Sequence, residues 1–192
     1  MKYLTILSIV CIALACNSNN DKVTEEKPQV ALTKSVNSDA FNASFGKLMT
    51  DYFKLKDAFI AEKEADVDAL AKALMTDADS LLLGELKADS AIVGTANTLA
   101  KSISGELKGL LGEKKLDEKR QSFRMLSEQL YTLINTVQYD REKVYHQYCP
   151  MAFNDEGAYW LSNSDKIQNP YLPKTMLICG EVKDSLGAIR KQ

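Results

Sequence analysis

Hydrophobic positions from about Asp39 onward recur at steps of three and four, which is the spacing of one face of an amphipathic helix. The first two stripes are Phe41, Phe45, Leu48, Tyr52, Leu55 and Phe59, then Val67, Leu70, Leu74, Ala78 and Leu81. The last two are Ile92, Ala96, Leu99, Ile103, Leu107 and Leu110, then Phe123, Leu126, Leu130, Leu133 and Val137. Four such stripes with short connections predict a mainly α protein, an up-down four-helix bundle.

The expected helix ends carry ordinary capping residues. Ser38 or Asp39 is suited to cap the first helix, and Gly112 stands where a glycine often closes a helix. The fourth helix is expected to start near Asp117. Each helix would hold roughly 20 residues and be about 30 Å long.

After the fourth stripe the pattern changes to a period of two over residues 144–149, which predicts a strand that Pro150 ends. Residues 158–161 form a short aromatic-rich piece. The apolar residues 176–179 are expected to be a second short strand, giving an irregular C-terminal segment with a β-hairpin. The tail from Glu181 is charged, and we expect a short helix or a frayed end there.

The N-terminus has the features of an export signal. A basic start precedes an apolar run, Leu4 to Leu14, that is too short to span a bilayer but suits a signal-peptide core. The sequence Ala13-Leu14-Ala15-Cys16 resembles the lipobox of bacterial lipoproteins, in which the cysteine is lipidated. A plain secretory signal or membrane anchor is the alternative, but polar residues begin directly after Cys16, and this favours the lipoprotein.

We therefore expect a signal peptide at residues 1–15, a lipidated Cys16 with a flexible tether over residues 16–38, and one domain over residues 39–192. The domain would contain a distinct motif segment at residues 144–182. This organisation places the protein in the bacterial cell envelope, periplasmic or associated with the outer membrane.

Composition excludes several functions. The chain has 192 residues, 45% of them apolar, and a net charge of −2, which gives no electrostatic footprint for nucleic acid. It has no C-x-x-C, no G-x-S-x-G and no phosphate-binding or dinucleotide-binding glycine pattern, so we expect no enzyme. A His146/Cys149 nucleophile pair is disfavoured because strand positions three apart face opposite sides.

The residues that suggest a function are soft metal ligands. Cys11 leaves with the signal and Cys16 carries lipid, so Cys149 and Cys179 are the two remaining cysteines. The candidate metal ligands are Cys149, Met151, Met176 and Cys179, with His146, the single histidine, added. Thiolate and thioether sulfur are the ligands that copper(I) favours, and imidazole is acceptable. Zinc fits less well because methionine is not among its usual ligands.

The alternative is a disulfide between Cys149 and Cys179. Two thiols in an oxidising compartment pair readily, and a closed loop of roughly 30 residues would stabilise the fold by about 3–4 kcal/mol. In that case the methionines fill the core and His146 is a packing residue. Both can hold, since a reduced pair would bind copper and an oxidised pair would release it.

Four motifs in order along this segment resemble one known family. They are Tyr148-Cys149-Pro150-Met151-Ala152, Gly157-Ala158-Tyr159-Trp160-Leu161-Ser162, Ile167-Gln168-Asn169-Pro170-Tyr171 and Met176-Leu177-Ile178-Cys179-Gly180. Together with Tyr52-Phe53-Lys54-Leu55-Lys56-Asp57-Ala58-Phe59 they resemble the domain of unknown function 3347 family, over roughly residues 45–182. Leu172-Pro173 departs from the family pattern, which often has a glycine there.

The resemblance implies a bacterial lipoprotein, or a domain like those appended to periplasmic adaptor subunits of copper/silver efflux systems. We therefore expect a non-enzymatic envelope lipoprotein that binds or handles a soft metal ion, copper(I) first, in support of metal efflux or tolerance. Its expected partners are the membrane, through the N-terminal lipid, and a metal-efflux adaptor or another envelope protein. The alternative function is a structural or protein-interaction module with a Cys149–Cys179 disulfide and no metal.

Overall fold

The computed structural model describes residue 35 and residues 37–187. The predicted signal peptide, the lipidation site Cys16 and most of the predicted tether lie outside the described residues. The helices are α1 (Asp39–Ala61), α2 (Glu64–Asp79), α3 (Ser90–Gly112), α4 (Leu116–Val137) and the single turn α5 (Ala152–Asp155). The strands are β1 (Val144–Cys149), β2 (Ala158–Ser162) and β3 (Glu181–Leu186), and a short 3₁₀ turn, Leu83–Glu85, follows α2.

The predicted four-helix bundle is confirmed. Neighbouring helices pack in chain order, α1 on α2, α2 on α3 and α3 on α4. Aromatic rings join α1 to α4, since Phe123 stacks on Tyr52 with ring centroids 5.4 Å apart and contacts Phe59 at 4.8 Å. The apolar stripes of the sequence therefore meet in one continuous core.

The ends of α1 form as the sequence predicts and for the expected reason. The Ser38 hydroxyl accepts the Phe41 N–H at 3.1 Å, which satisfies one of the free N–H groups of the first turn. Glu62 closes the helix in the left-handed conformation, with φ 54°. At the start of the domain, the Asn37 amide donates to the Val137 carbonyl at 2.8 Å, so the first helix begins where the fourth one ends.

The C-terminal segment forms a three-stranded antiparallel sheet in the order β2-β1-β3. The strand predicted over residues 144–149 is present. The second strand predicted at residues 176–179 was wrong, because that stretch forms a turn in which the Cys179 N–H donates to the Met176 carbonyl at 3.0 Å. In the described part of the charged tail, the expected short helix or frayed end was wrong too. Residues Glu181–Leu186 form the edge strand β3, and edge strands tolerate charged side chains because one side faces water.

One buried tyrosine fastens the sheet to the bundle. The Tyr52 hydroxyl of α1 accepts the Leu161 N–H of β2 at 3.0 Å and shares a hydrogen bond with the Ser127 hydroxyl of α4 at 2.7 Å. Tyr52 is fully buried, and burial raises the pKa of its phenol far above the usual value, so it stays neutral.

Among the described residues, no helix is both long enough and apolar enough to cross a bilayer.

Replacing Tyr52 with Phe should destabilise the domain by about 1–3 kcal/mol, because the Leu161 N–H would be buried without an acceptor. Urea unfolding followed by circular dichroism measures the loss. Tyr131→Phe is the matched control, since it deletes an exposed hydroxyl that donates to Asp184 at 3.0 Å. The control should lower the free energy of unfolding by less than about 0.5 kcal/mol. Equal losses of stability in the two variants would contradict the role given to the Tyr52 hydroxyl.

Candidate functional site

Cys149 and Cys179 form a disulfide, with Cα atoms 5.6 Å apart. Cys149 is the last residue of β1 and is fully buried, whereas Cys179 lies in the turn before β3 and is partly exposed. Antiparallel pairing of β1 with β3 places Tyr148 opposite Glu181, which brings the chain around Cys179 alongside the end of β1. The tertiary structure therefore joins the two cysteines that the sequence analysis selected.

Gly180 makes this approach possible. Its φ is +142°, and a Cβ built there would lie 2.8 Å from the Tyr148 carbonyl oxygen and 2.9 Å from the Trp160 ring. Neither the backbone nor the fully buried indole can yield that much, so a side chain at position 180 would push Cys179 away from Cys149.

The two methionines lie within the loop that the disulfide closes, each within three residues of one cysteine. Met151 follows β1 by two residues and is 45% exposed. Met176 is partly exposed, and its carbonyl belongs to the turn that ends at Cys179. Thioether sulfur is thus available within a few residues of each cysteine.

His146 is held in a different environment from the sulfur residues. It lies three residues before Cys149, hence on the other face of β1. Its ring stacks between Tyr131, at 3.9 Å, and Tyr159, at 4.5 Å, and only 7% of its surface is exposed. Burial lowers the pKa of His146 to about 4, against the opposing attraction of Asp184. The structure does not bring the imidazole together with the disulfide.

Two polar residues that the sequence analysis did not select position the loop between β2 and β3. The Arg120 Nε–H of α4 donates to the Pro170 carbonyl at 2.9 Å, and Arg120 itself is only 4% exposed. The amide of Gln147, fully buried in β1, donates to the carbonyls of Ser164 at 2.9 Å and Lys166 at 3.3 Å. Neither residue stands out in the sequence, because arginine and glutamine side chains are usually exposed to solvent.

The donor set can be tested against a metal directly. Within the described part of the chain, no three His, Cys, Asp or Glu side chains form a group able to hold an ion. A disulfide sulfur is also not a thiolate, the form of cysteine that binds metals. The oxidised protein therefore does not fit copper(I), whereas the reduced pair with its methionines has the soft sulfur that this ion favours.

Acid should destabilise the domain through His146. The folded pKa of about 4 lies below the ordinary 6.5, so the unfolded chain binds the extra proton between these values. The stability from burying the neutral ring is present above pH 6.5 and is lost as the pH falls toward 4, by up to about 3 kcal/mol. Urea unfolding at several pH values measures this dependence. His146→Phe keeps a ring in the stack and should flatten the curve in this window. An unchanged curve would contradict the prediction.

A comparison with known families identifies the helical part. Residues 48–142, from within α1 through α4 to the connection before β1, match the model of a family described as Protein of unknown function (DUF3347). The motifs between residues 148 and 180 lie outside this match. No curated protein and no solved structure matches the chain. The matched region is thus the helical bundle that carries the sheet and the disulfide, and this part of the chain belongs to the DUF3347 family.

Proposed function

We propose that this protein is a non-catalytic, lipid-anchored domain of the bacterial envelope, whose disulfide-closed C-terminal segment is an interaction module for another envelope protein. One observation carries the proposal: the Cys149–Cys179 bond closes a loop that presents apolar side chains to solvent. Ile178 is 82% exposed and Met151 is 45% exposed. Exposed apolar residues gathered in one place are typical of a protein-interaction surface.

The sequence supports the proposed location in the cell envelope and the proposed lipid attachment. The lipobox-like Ala13-Leu14-Ala15-Cys16 and the polar stretch after it support lipidation of Cys16. A disulfide is the natural state of two paired cysteines in an oxidising compartment, which agrees with export. A tether over residues 16–38 would allow the domain to reach a partner beside the membrane.

A photo-crosslinking amino acid at position 178, in the full-length protein in cells, should give one discrete crosslinked product. The matched control is the same amino acid at Leu82, which is also exposed and apolar but lies in the connection after α2. The product should be absent from the control and lost in a Cys149→Ser/Cys179→Ser variant. Equal products at both positions, or none at position 178, would reject the interaction module. Mass spectrometry of the same protein reads whether Cys16 carries lipid.

Handling of copper(I) is the second candidate function, and the closeness of the two cysteines to each other favours it. The two cysteine Cα atoms lie 5.6 Å apart, so reduction would leave two thiols already side by side. Met176 belongs to the same turn as Cys179, and Met151 follows Cys149 by two residues. Reduced, these residues would offer two thiolates and two thioethers, and His146 would remain in its aromatic stack.

Copper(I) titration against a competing chelator should show binding by the reduced protein and none by the oxidised protein. Met151→Leu/Met176→Leu should weaken the binding, and His146→Phe should leave it unchanged because the ring lies on the other face of β1. The decisive control is Cys149→Ser/Cys179→Ser. Reduced protein that binds copper(I) no better than this variant would eliminate metal handling while leaving the interaction module intact.

A further inference from the structure

The two cysteines of the disulfide differ in their exposure to solvent. Cys149 is fully buried and belongs to the hydrophobic core, while Cys179 is partly exposed and only packs against that core. Thiol–disulfide exchange requires a thiolate to approach one sulfur along the line of the bond, and access decides which sulfur is attacked. An external thiol can therefore reach Cys179 and not Cys149.

Exposed apolar side chains lie close to Cys179 in the chain. Large apolar side chains exposed in the described residues are Leu82, Met125, Met151, Leu177, Ile178 and Val182. Leu177 and Ile178 immediately precede Cys179, and Met151 follows Cys149 by two residues. Three of these six side chains thus belong to the segment that the disulfide closes, and Val182 lies just after it in β3. Leu82 and Met125 belong to the helical part of the domain.

The segment over residues 172–180 is attached to the rest of the domain by few interactions. Two of its hydrogen bonds are internal, from the Met176 N–H to the Leu172 carbonyl and from the Cys179 N–H to the Met176 carbonyl. Its outward polar contacts are the Asn169 N–H to Leu177 carbonyl bond at 2.8 Å, the Leu172 N–H to Asn169 Oδ1 bond at 3.3 Å and an ion pair from Lys174 to Glu62. Besides the disulfide, Leu172 packs against the core.

The preceding part of the loop is attached independently of the disulfide. The Arg120 guanidinium binds the Pro170 carbonyl, and the Tyr171 hydroxyl donates to the Tyr159 carbonyl. Breaking the disulfide would consequently release residues 172–180 and leave the bundle and the loop up to Tyr171 in place.

We propose that the Cys149–Cys179 disulfide is an exchange site for a dithiol oxidoreductase of the envelope, which attacks at Cys179. The partner thiolate bonds to the Cys179 sulfur, the Cys149–Cys179 bond breaks, and Cys149 leaves with the electron pair and takes a proton from solvent. The partner's second thiolate then displaces Cys179 from the mixed disulfide. The partner dithiol is oxidised and the protein receives two electrons and two protons. The exposed apolar residues beside Cys179 form the surface on which the partner docks. The proposal requires neither copper binding nor a further interaction partner.

The first test traps the intermediate. The oxidised full-length protein is mixed with a bacterial dithiol oxidoreductase whose resolving cysteine is replaced by serine, quenched with acid and digested. Mass spectrometry should find the probe bonded to the Cys179 peptide at least about ten times more often than to the Cys149 peptide. Probe attached mainly to Cys149, or shared equally, would overturn the proposal, and so would reaction no faster than global unfolding.

The second test separates docking from simple access. Ile178→Ser should slow exchange with the protein probe about ten-fold and leave exchange with glutathione unchanged, because a small thiol needs no apolar surface. Leu82→Ser is the matched control and should change neither rate. Equal slowing by both variants, or no slowing, would contradict docking at this surface. Hydrogen exchange after reduction should become faster in residues 172–180 and stay unchanged in α4. Faster exchange throughout the bundle would show instead that the disulfide supports the whole fold.

Discussion

The Tyr52 hydroxyl makes the contact that joins the C-terminal sheet to the helical bundle. A small three-stranded sheet has too little core of its own, so it must bury one side against another element. Tyr52 links the two elements. Its ring packs inside the bundle, and its oxygen accepts the Leu161 N–H of β2. Since β1 pairs with β2, and β3 pairs with β1, this attachment helps to place the disulfide. The stacking of His146 on Tyr131 of α4 holds the same sheet against the bundle.

Buried charges at the start of α4 complete the arrangement. The Lys119 ammonium, almost fully buried, donates to the Leu110 and Glu113 carbonyls at the end of α3 and pairs with Asp68 at 2.8 Å. Cations are stabilised there because the carbonyls at a helix C-terminus lack partners within the helix. Its neighbour Arg120 has a different role, binding the Pro170 carbonyl of the loop. Lys119 thus joins α4 to α3, and Arg120 joins the bundle to the segment that carries Cys179. Losing either side chain would leave buried polar groups unpaired.

The bundle was predictable from the sequence, whereas two of the three strands of the sheet were not predicted as strands. A period of 3.6 sustained over about 20 residues is a strong signal, and β1 was also found, since its residues alternate between two faces. The stretch Met176–Cys179 was misassigned because an apolar run indicates burial, and here Ile178 points to solvent. The edge strand β3 was missed for the opposite reason. Its residues are charged and exposed, and only the backbone of β1 holds them in a strand.

The sequence by itself determined the four helices, the first strand, the candidate pair Cys149 and Cys179, and the face of β1 on which His146 lies. These follow from local periodicity and residue chemistry, which need no knowledge of distant contacts. Tertiary structure alone decided that Gly180 lets Cys179 reach Cys149, that Arg120 and Gln147 hold the loop, and that Cys149 is buried while Cys179 is partly exposed. Each of these depends on residues far apart in the chain meeting in space, and hydrophobic patterning records burial but not the identity of the neighbour.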